Sequence, residues 1–167
     1  MKVEAIVYSS MTGFTAQYAK MLAQKTGIPA YELSQANQVK AQAPVLYMSW
    51  LMAGTLVDYR KAAAQLNVVA ACSVGLNATA EQVLATKKST KIPDAVPLFA
   101  LQGGYCPEKL AGMYKFMMKI VTKVLIKKIS ALPNKGTSEE QLIHVLKNGG
   151  SFVKEENLQE IAAYLQE

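Results

Sequence analysis

Cysteine, histidine and tryptophan are scarce in this sequence of 167 residues, which has two cysteines, one histidine and one tryptophan. The two cysteines, Cys72 and Cys106, lie far apart, and so few thiols exclude a small secreted domain held together by disulfides. No group of His, Cys and carboxylate residues has the spacing of metal ligands, so the sequence predicts no metal site. A reducing, cytoplasmic location is the expectation that follows.

Long uncharged hydrophobic runs are also missing. The longest uncharged stretches, residues 41–57 and 62–80, contain polar residues or proline, so neither predicts a membrane-spanning helix. The start of the sequence has Glu4 where a signal peptide needs an apolar region, and it predicts no signal peptide. With 51% hydrophobic and 18% charged residues, the chain is too apolar for a disordered segment, and we expect one domain over residues 1–167.

Short apolar runs alternate with amphipathic segments along the chain. The runs predict strands over residues 3–9, 29–33, 45–48, 68–74 and 96–101. The amphipathic segments predict helices over residues 14–25, 55–65, 79–87, 107–129, 138–147 and 154–165. Strands that are apolar on both sides predict a parallel sheet with helices on both faces. We therefore expect a doubly wound, five-stranded α/β fold of strand order 2-1-3-4-5, with ligands at the carboxyl ends of the strands.

The loop after the first predicted strand has the character of an anion site. It combines hydroxyls, a glycine and backbone N–H groups at the positive end of a helix. It contains no lysine, so it matches neither the GxxxxGK[ST] phosphate loop nor the GxGxxG dinucleotide loop. The residues expected to bind the anion are Ser10, Met11, Thr12, Gly13, Phe14 and Thr15. The alternative is that the hydroxyls only cap the helix.

The pattern Ser10-x-Thr12-Gly13-x-Thr15 resembles the [ST]-x-[ST]-G-x-[ST] loop that holds the FMN phosphate in flavodoxins. The resemblance implies a flavodoxin-like fold, a noncovalently bound FMN and a role in electron transfer. Trp50, the only tryptophan, would lie beside the flavin ring, although a role in covering the core is the alternative. The other cofactor contacts implied after strands three, four and five are Ser49, Val74, Gly75, Leu76, Asn77, Gly103, Gly104 and Tyr105.

The turn Gly103-Gly104-Tyr105 is followed by a long segment rich in methionine and lysine. This segment resembles the insertion of the short, FMN-dependent protoporphyrinogen oxidases, also called protoporphyrinogen IX dehydrogenases. The resemblance implies an alternative function, in which an enzyme passes electrons to a quinone or another acceptor. Because flavin chemistry belongs to the cofactor, the lack of an acid, base or nucleophile does not decide between carrier and enzyme. The partner is accordingly either a redox protein or a small-molecule substrate.

The predicted helix near residues 107–130 is strongly basic. Between Glu108 and Ser130 there are six lysines and one acid, a net charge of +5 out of +6 for the whole chain. Four of the lysines, spaced by four, form one helical stripe: Lys115, Lys119, Lys123 and Lys127. We expect the apolar residues of this segment on the side opposite the lysine stripe: Met113, Met117, Ile120, Val121, Val124 and Leu125.

This profile indicates a contact with an acidic partner or with the inner face of an anionic membrane. The alternative is an ordinary helix that packs its apolar side on the core and leaves the lysines in solvent. A stripe without arginine and with few aromatics does not predict nucleic-acid binding.

We consider both cysteines and the single histidine as candidate reactive residues, and the sequence predicts a different role for each. Cys106 is a candidate redox thiol if the following helix stabilises its thiolate. Cys72, inside a predicted strand, is expected in the core. His144 lies on an amphipathic helix far from the predicted site, and we expect a surface or packing role. The segment that begins at Ser138 has the form of a capping box.

Overall fold

The computed structural model describes residues 2–166, and in these residues helices pack on a mainly parallel β-sheet, which confirms the predicted α/β class. The strands are β1 (Ala5–Tyr8), β2 (Ala30–Glu32), β3 (Pro44–Met52), β4 (Thr55–Leu56), β5 (Asn67–Gly75), β6 (Leu98–Gln102), β7 (Gly104–Tyr105) and β8 (Gly150–Ser151). The α-helices are α1 (Phe14–Thr26), α2 (Tyr59–Gln65), α3 (Ala80–Thr90), α4 (Gly112–Ser130), α5 (Thr137–Asn148) and α6 (Gln159–Gln166).

The main sheet has the order β2-β1-β3-β5-β6, with every neighbouring pair parallel, and β4 pairs antiparallel with β3. The predicted order 2-1-3-4-5 differs from this order, because β4 adds a strand inside the segment predicted as a helix from residue 55. A strand of two residues is too short to produce a periodic pattern in the sequence. The helix itself, α2, begins only at Tyr59.

The two faces of the main sheet bury different residues of the same strands, as the period of two requires. Ile6 and Leu46 belong to a core that also contains buried residues of α1 and α6. Val7 and Tyr47 belong to a second core, which contains Tyr59 of α2. The sheet therefore has helices on both faces. A ligand can reach it only where the strands end.

Strand β3 is longer than predicted. It runs from Pro44 to Met52, whereas the sequence predicts an end at residue 48. Ser49 and Trp50 therefore lie within the strand, paired in register with Ser73 and Val74 of β5, and not in a loop after it. Two neighbouring strands support the extension: β5 pairs with β3 as far as Trp50, and β4 supplies backbone partners for Leu51 and Met52.

By its internal contacts the chain divides into two compact units, one of residues 2–103 with 153–166 and one of Gly104–Phe152. The second unit contains β7 and β8, which pair antiparallel, and the contacting helices α4 and α5. The basic segment predicted at about 107–130 lies in this unit.

The helix predicted from residue 107 is interrupted in the structure. A short 3-10 turn covers Pro107–Lys109, and α4 begins at Gly112, which has a positive φ of 52°. The N-cap of α5 is Gly136, whose N–H donates to Glu139 Oε2 at 3.0 Å, so the cap lies two residues before Ser138. None of the helices in residues 2–166 has the length and hydropathy that crossing a bilayer requires.

Candidate functional site

The loop between β1 and α1 is closed by the hydroxyl of Ser10. Its Oγ accepts the backbone N–H of Gly13 at 3.2 Å and that of Ala16 at 3.3 Å. Gly13 has a left-handed φ of 97°, a conformation that glycine adopts without the steric cost of a side chain. Two N–H groups at the start of a 13-residue helix thus donate to Ser10, at the end of the helix where the dipole favours an anion.

The residues of this loop differ in their exposure to solvent. Met11 is exposed, and Thr12, Gly13 and Phe14 are half-buried. Thr15 is 1% exposed, which leaves its side chain little direct contact with a ligand. Ser10 already performs the capping role that the sequence allowed as an alternative, so an anion would have to share the loop with this hydroxyl.

The end of β3 provides one buried hydroxyl and one partly buried ring. Ser49 is fully buried, and its Oγ makes no hydrogen bond within the described part of the chain. An unpaired buried hydroxyl is unfavourable, but its burial leaves Ser49, like Thr15, little direct contact with a ligand. Trp50 is half-buried and its carbonyl accepts the N–H of Val57 at 3.1 Å, so its backbone belongs to the β3–β4 connection.

The ends of β5 and β6 meet the first loop. The N–H of Gly103 donates to the Gly75 carbonyl at 2.7 Å, and Gln102 Nε2 donates to the carbonyl of Leu76 at 2.9 Å. A Cβ placed on Gly103 would lie 2.8 Å from Val74 Cγ1 and 3.4 Å from the Cβ of Phe14. Gly103 is therefore required by close packing between the first loop and β5. Asn77 is exposed just after this contact.

Gly104 and Tyr105, the last two predicted contacts, belong to the second unit. They form β7 and pair with β8, with Tyr105 opposite Gly150. Tyr105 is buried, and a Cβ on Gly149 would come within 3.3 Å of its carbonyl oxygen. Of the predicted contacts, the structure thus brings together those of the first loop, β5 and Gly103 within the first unit.

Sequence reasoning missed a polar cluster on Tyr47. The Tyr47 hydroxyl donates to the carbonyl of Val57 at 2.8 Å and lies 3.1 Å from Ser9 Oγ. The Ser9 hydroxyl in turn donates to Asp58 Oδ2 at 3.4 Å. The sequence contains one indication of this cluster, because Asp58 is the only acid between residues 49 and 80.

Burial raises the pKa of Tyr47, and the nearby Ser9 and Ser49 hydroxyls partly offset that effect. The contact with Ser49 does not reach hydrogen-bond geometry, since its Oγ has no partner. Tyr47 is therefore neutral over the physiological range and acts as a fixed donor. Asp58 brings a negative charge next to the loop that precedes α1, where it would oppose a bound anion.

A second tyrosine connects α1 to β6. The Tyr18 hydroxyl donates to the carbonyl of Gln102 at 2.7 Å and accepts from Asn157 Nδ2 at 2.6 Å. Burial is the main cause of the raised pKa of Tyr18. This bond fixes the helix that follows the first loop to the strand that ends at Gly103, so the two parts of the candidate site are held by one side chain.

The two thiols and the histidine have surroundings of their own. Cys72 is fully buried in β5, as expected, and burial raises the pKa of its thiol. The Cys106 thiol donates to Glu108 Oε1 at 2.8 Å, and burial together with this carboxylate raises its pKa. The thiolate of Cys106 is thus disfavoured, which weighs against the redox interpretation. His144 is exposed on α5, 3.3 Å from Asn148 Nδ2.

The chain was compared with protein-family models, with curated proteins and with solved structures. No match was found.

The donor set of the first loop suits a phosphate monoester. It consists of neutral hydroxyls and helix N–H groups, which bind a phosphate monoester without a cationic side chain. Among residues 2–166, no three His, Cys, Asp or Glu side chains come together as metal ligands would.

Proposed function

We propose that this protein is a flavodoxin-like redox protein that binds one FMN noncovalently and transfers electrons through it. The observation that carries the proposal is the first loop: Ser10 organises N–H groups at the start of α1 beside the ends of β5 and β6. In doubly wound sheets, ligands bind at the carboxyl ends of the strands, where the strand order reverses. Here that position lies between β1 and β3.

The sheet supports the flavodoxin-like assignment when only its parallel strands are counted. Without the antiparallel β4, the parallel strands run in the order second, first, third, fourth and fifth. This is the order of a flavodoxin-like sheet. The short β4 is then an addition at the end of β3.

Each group of residues has a defined part in the proposal. Thr12 and the N–H groups after Ser10 hold the phosphate, and Trp50 lies at the ring end of the site. The bound flavin would supply the one- and two-electron chemistry, which no side chain of the protein provides. The chain supplies orientation, through the hydrogen bond that ties α1 to β6.

The proposal is tested by titrating the purified protein with FMN, while the visible flavin bands and the fluorescence of Trp50 are recorded. We expect a shift of the bands and quenching of this single tryptophan. If saturating FMN changes neither signal, the proposal is wrong. The readouts are independent, because one reports on the flavin and the other on the protein.

Two variants test the phosphate loop in opposite directions. Thr12→Ala removes a hydroxyl and should weaken FMN binding by about 10- to 100-fold, the range for a charge-assisted hydrogen bond. Asp58→Asn removes an exposed charge near Ser9 and should tighten binding by about two- to fivefold at low salt. The exposed Thr137 and Asp94 provide the controls Thr137→Ala and Asp94→Asn, which should leave the affinity unchanged.

A second candidate function is oxidation of protoporphyrinogen by the same flavin site. The observation that favours it is the separate helical unit that starts directly after Gly103 and carries α4. The FMN-loaded protein should then be reduced by protoporphyrinogen in anaerobic stopped-flow mixing. A flavin that binds but is not reduced would leave the carrier function and exclude the enzyme.

A further inference from the structure

Helix α4 presents a continuous apolar stripe to solvent. Met113, Phe116, Ile120 and Val124 are 77%, 67%, 51% and 60% exposed. Their spacing of three, four and four residues places them on one side of the helix, in a row about 17 Å long. The sequence predicts an apolar side of α4 that includes Met113, Ile120 and Val124 but not Phe116, and it leaves open whether that side packs on the core. The structure leaves them exposed.

The stripe is not the face with which α4 packs. Tyr114, Met118 and Leu125 are half-buried, and Thr122 is buried with its hydroxyl donating to the Met118 carbonyl at 2.8 Å. These residues lie on the other side of the helix, and α4 contacts α5 within the same unit. Leu125 thus belongs to the packing face and not to the stripe, which corrects the single apolar side predicted from the sequence.

Positive charge borders the stripe on both sides. At 100° per residue, Lys119 and Lys123 fall along one edge and Lys128 along the other. From Lys109 to Ser138 the chain has seven lysines and no acidic residue. The lysines of α4 are exposed. An occupant of this face must therefore be apolar along a narrow line and negatively charged on either side of it.

We propose that α4 binds the surface of an anionic lipid bilayer, with its apolar stripe in the headgroup region and its lysines at the lipid phosphates. A bilayer surface offers this combination everywhere, and lysine binds phosphate as a point charge without fixed geometry. An acidic protein would satisfy the lysines, but the four side chains of the stripe carry no polar group with which to position it. The helix lies on the surface and does not cross it, since no helix of residues 2–166 meets the requirement for spanning.

The binding is measured by flotation with vesicles of phosphatidylcholine alone and of phosphatidylcholine mixed equally with phosphatidylglycerol. The full chain should float with the mixed vesicles at low salt and stay in solution with the neutral ones. Raised salt should weaken the binding without abolishing it, because the apolar contribution does not depend on salt. Failure to bind the mixed vesicles at low salt would overturn the proposal.

Variants separate the contribution of the lysines to vesicle binding from that of the apolar stripe. Lys119→Gln, Lys123→Gln and Lys127→Gln together should weaken binding about 100-fold at low salt. The same change at the exposed Lys20, Lys40 and Lys61 alters the net charge equally and should have little effect. Equal losses in the two triple variants would mean that only net charge matters, and would overturn the assignment to α4.

The apolar stripe has its own variant and control. Phe116→Ser with Ile120→Ser should weaken binding at least tenfold, whereas Leu84→Ser, at a side chain that is 71% exposed on α3, should not. If polyglutamate binds the protein as tightly as the vesicles do, and the two serines leave vesicle binding unchanged, the surface recognises acidic protein and the lipid proposal is wrong.

A reporter shows directly whether the stripe enters the lipid. In Phe116→Trp, emission should shift to the blue with mixed vesicles and be quenched by brominated lipid. The unmodified protein, with Trp50 alone, gives the background. Binding without quenching at position 116 would also contradict the proposal.

Discussion

At the scale of single residues, backbone strain in the first unit is found at four residues that have a Cβ and a positive φ, namely Gln42, Ala53, Asp58 and Lys91. Ala53 and Asp58 have positive φ values of 49° and 57°, which residues with a Cβ adopt at a cost of about 1–2 kcal/mol. Ala53 and Gly54 form the two-residue turn between Met52 and Thr55. Both turn residues have positive φ, the pattern of a type I′ turn, which favours Asn-Gly.

We therefore expect Ala53→Asn to stabilise the protein by about 1 kcal/mol, because asparagine tolerates the left-handed conformation better than alanine. The measurement is the free energy of unfolding in urea. The control is Ala63→Asn, an exposed position inside α2, which should be destabilising because asparagine is a weaker helix former. Destabilisation by Ala53→Asn would show that the turn does not adopt this conformation.

At the scale of elements, helix α3 holds the short strand β4 in place. Thr90 Oγ1 accepts the N–H of Leu56 at 2.9 Å, and the Ser89 hydroxyl donates to the Gly54 carbonyl at 2.8 Å. Thr90 is 2% exposed, so the first of these bonds is shielded from water. A two-residue strand has few hydrogen bonds of its own, and its position depends on these contacts.

Thr90→Val keeps the shape of this side chain and removes its acceptor. Because the Leu56 N–H would then be buried without a partner, we expect a loss of about 1–3 kcal/mol in the free energy of unfolding. Thr90→Ser retains the acceptor and should lose less. Equal losses in the two variants would assign the effect to packing of the methyl group and not to the hydrogen bond.

Elements with clear periodicity were predictable, and short or strained ones were not. The run at residues 68–74 is apolar on both faces, and it forms β5 within one residue at each end. The extension of β3 beyond Met48 was missed because it depends on pairing with β5 as far as Trp50 and with β4 after it, which the local sequence does not specify. The first loop was identified by its hydroxyls and glycine. The Tyr47 cluster was not, because Ser9, Tyr47 and Asp58 meet only through the fold.

At the scale of the whole molecule, buried phenols and a buried thiol determine the response to alkali. The pKa values of Tyr8, Tyr18, Tyr47 and Tyr59 are raised mainly by burial, and that of Cys72 is raised for the same reason. Raised pKa values mean that the folded chain keeps protons that the unfolded chain releases. The stability that these groups contribute is complete below the ordinary pKa values of cysteine and tyrosine and is lost above them.

The free energy of unfolding should therefore be lower at about pH 11 than at about pH 8, with the loss beginning above roughly pH 9. Guanidinium titrations across this range measure it, and tyrosinate absorbance reports ionisation of the phenols. A constant unfolding free energy, with all tyrosines ionising in the folded protein near pH 10, would contradict the burial assigned to these side chains.

The most direct test of the flavin proposal is a calorimetric titration of the unmodified protein with FMN and, side by side, with riboflavin, which lacks the phosphate. If the loop after β1 holds the phosphate, FMN should bind at one molecule per chain and riboflavin at least about 100-fold more weakly, because two or more charge-assisted hydrogen bonds are missing. Equal affinities would contradict the assignment of the phosphate to Ser10–Thr15. Absence of binding by either compound would contradict the proposed function itself.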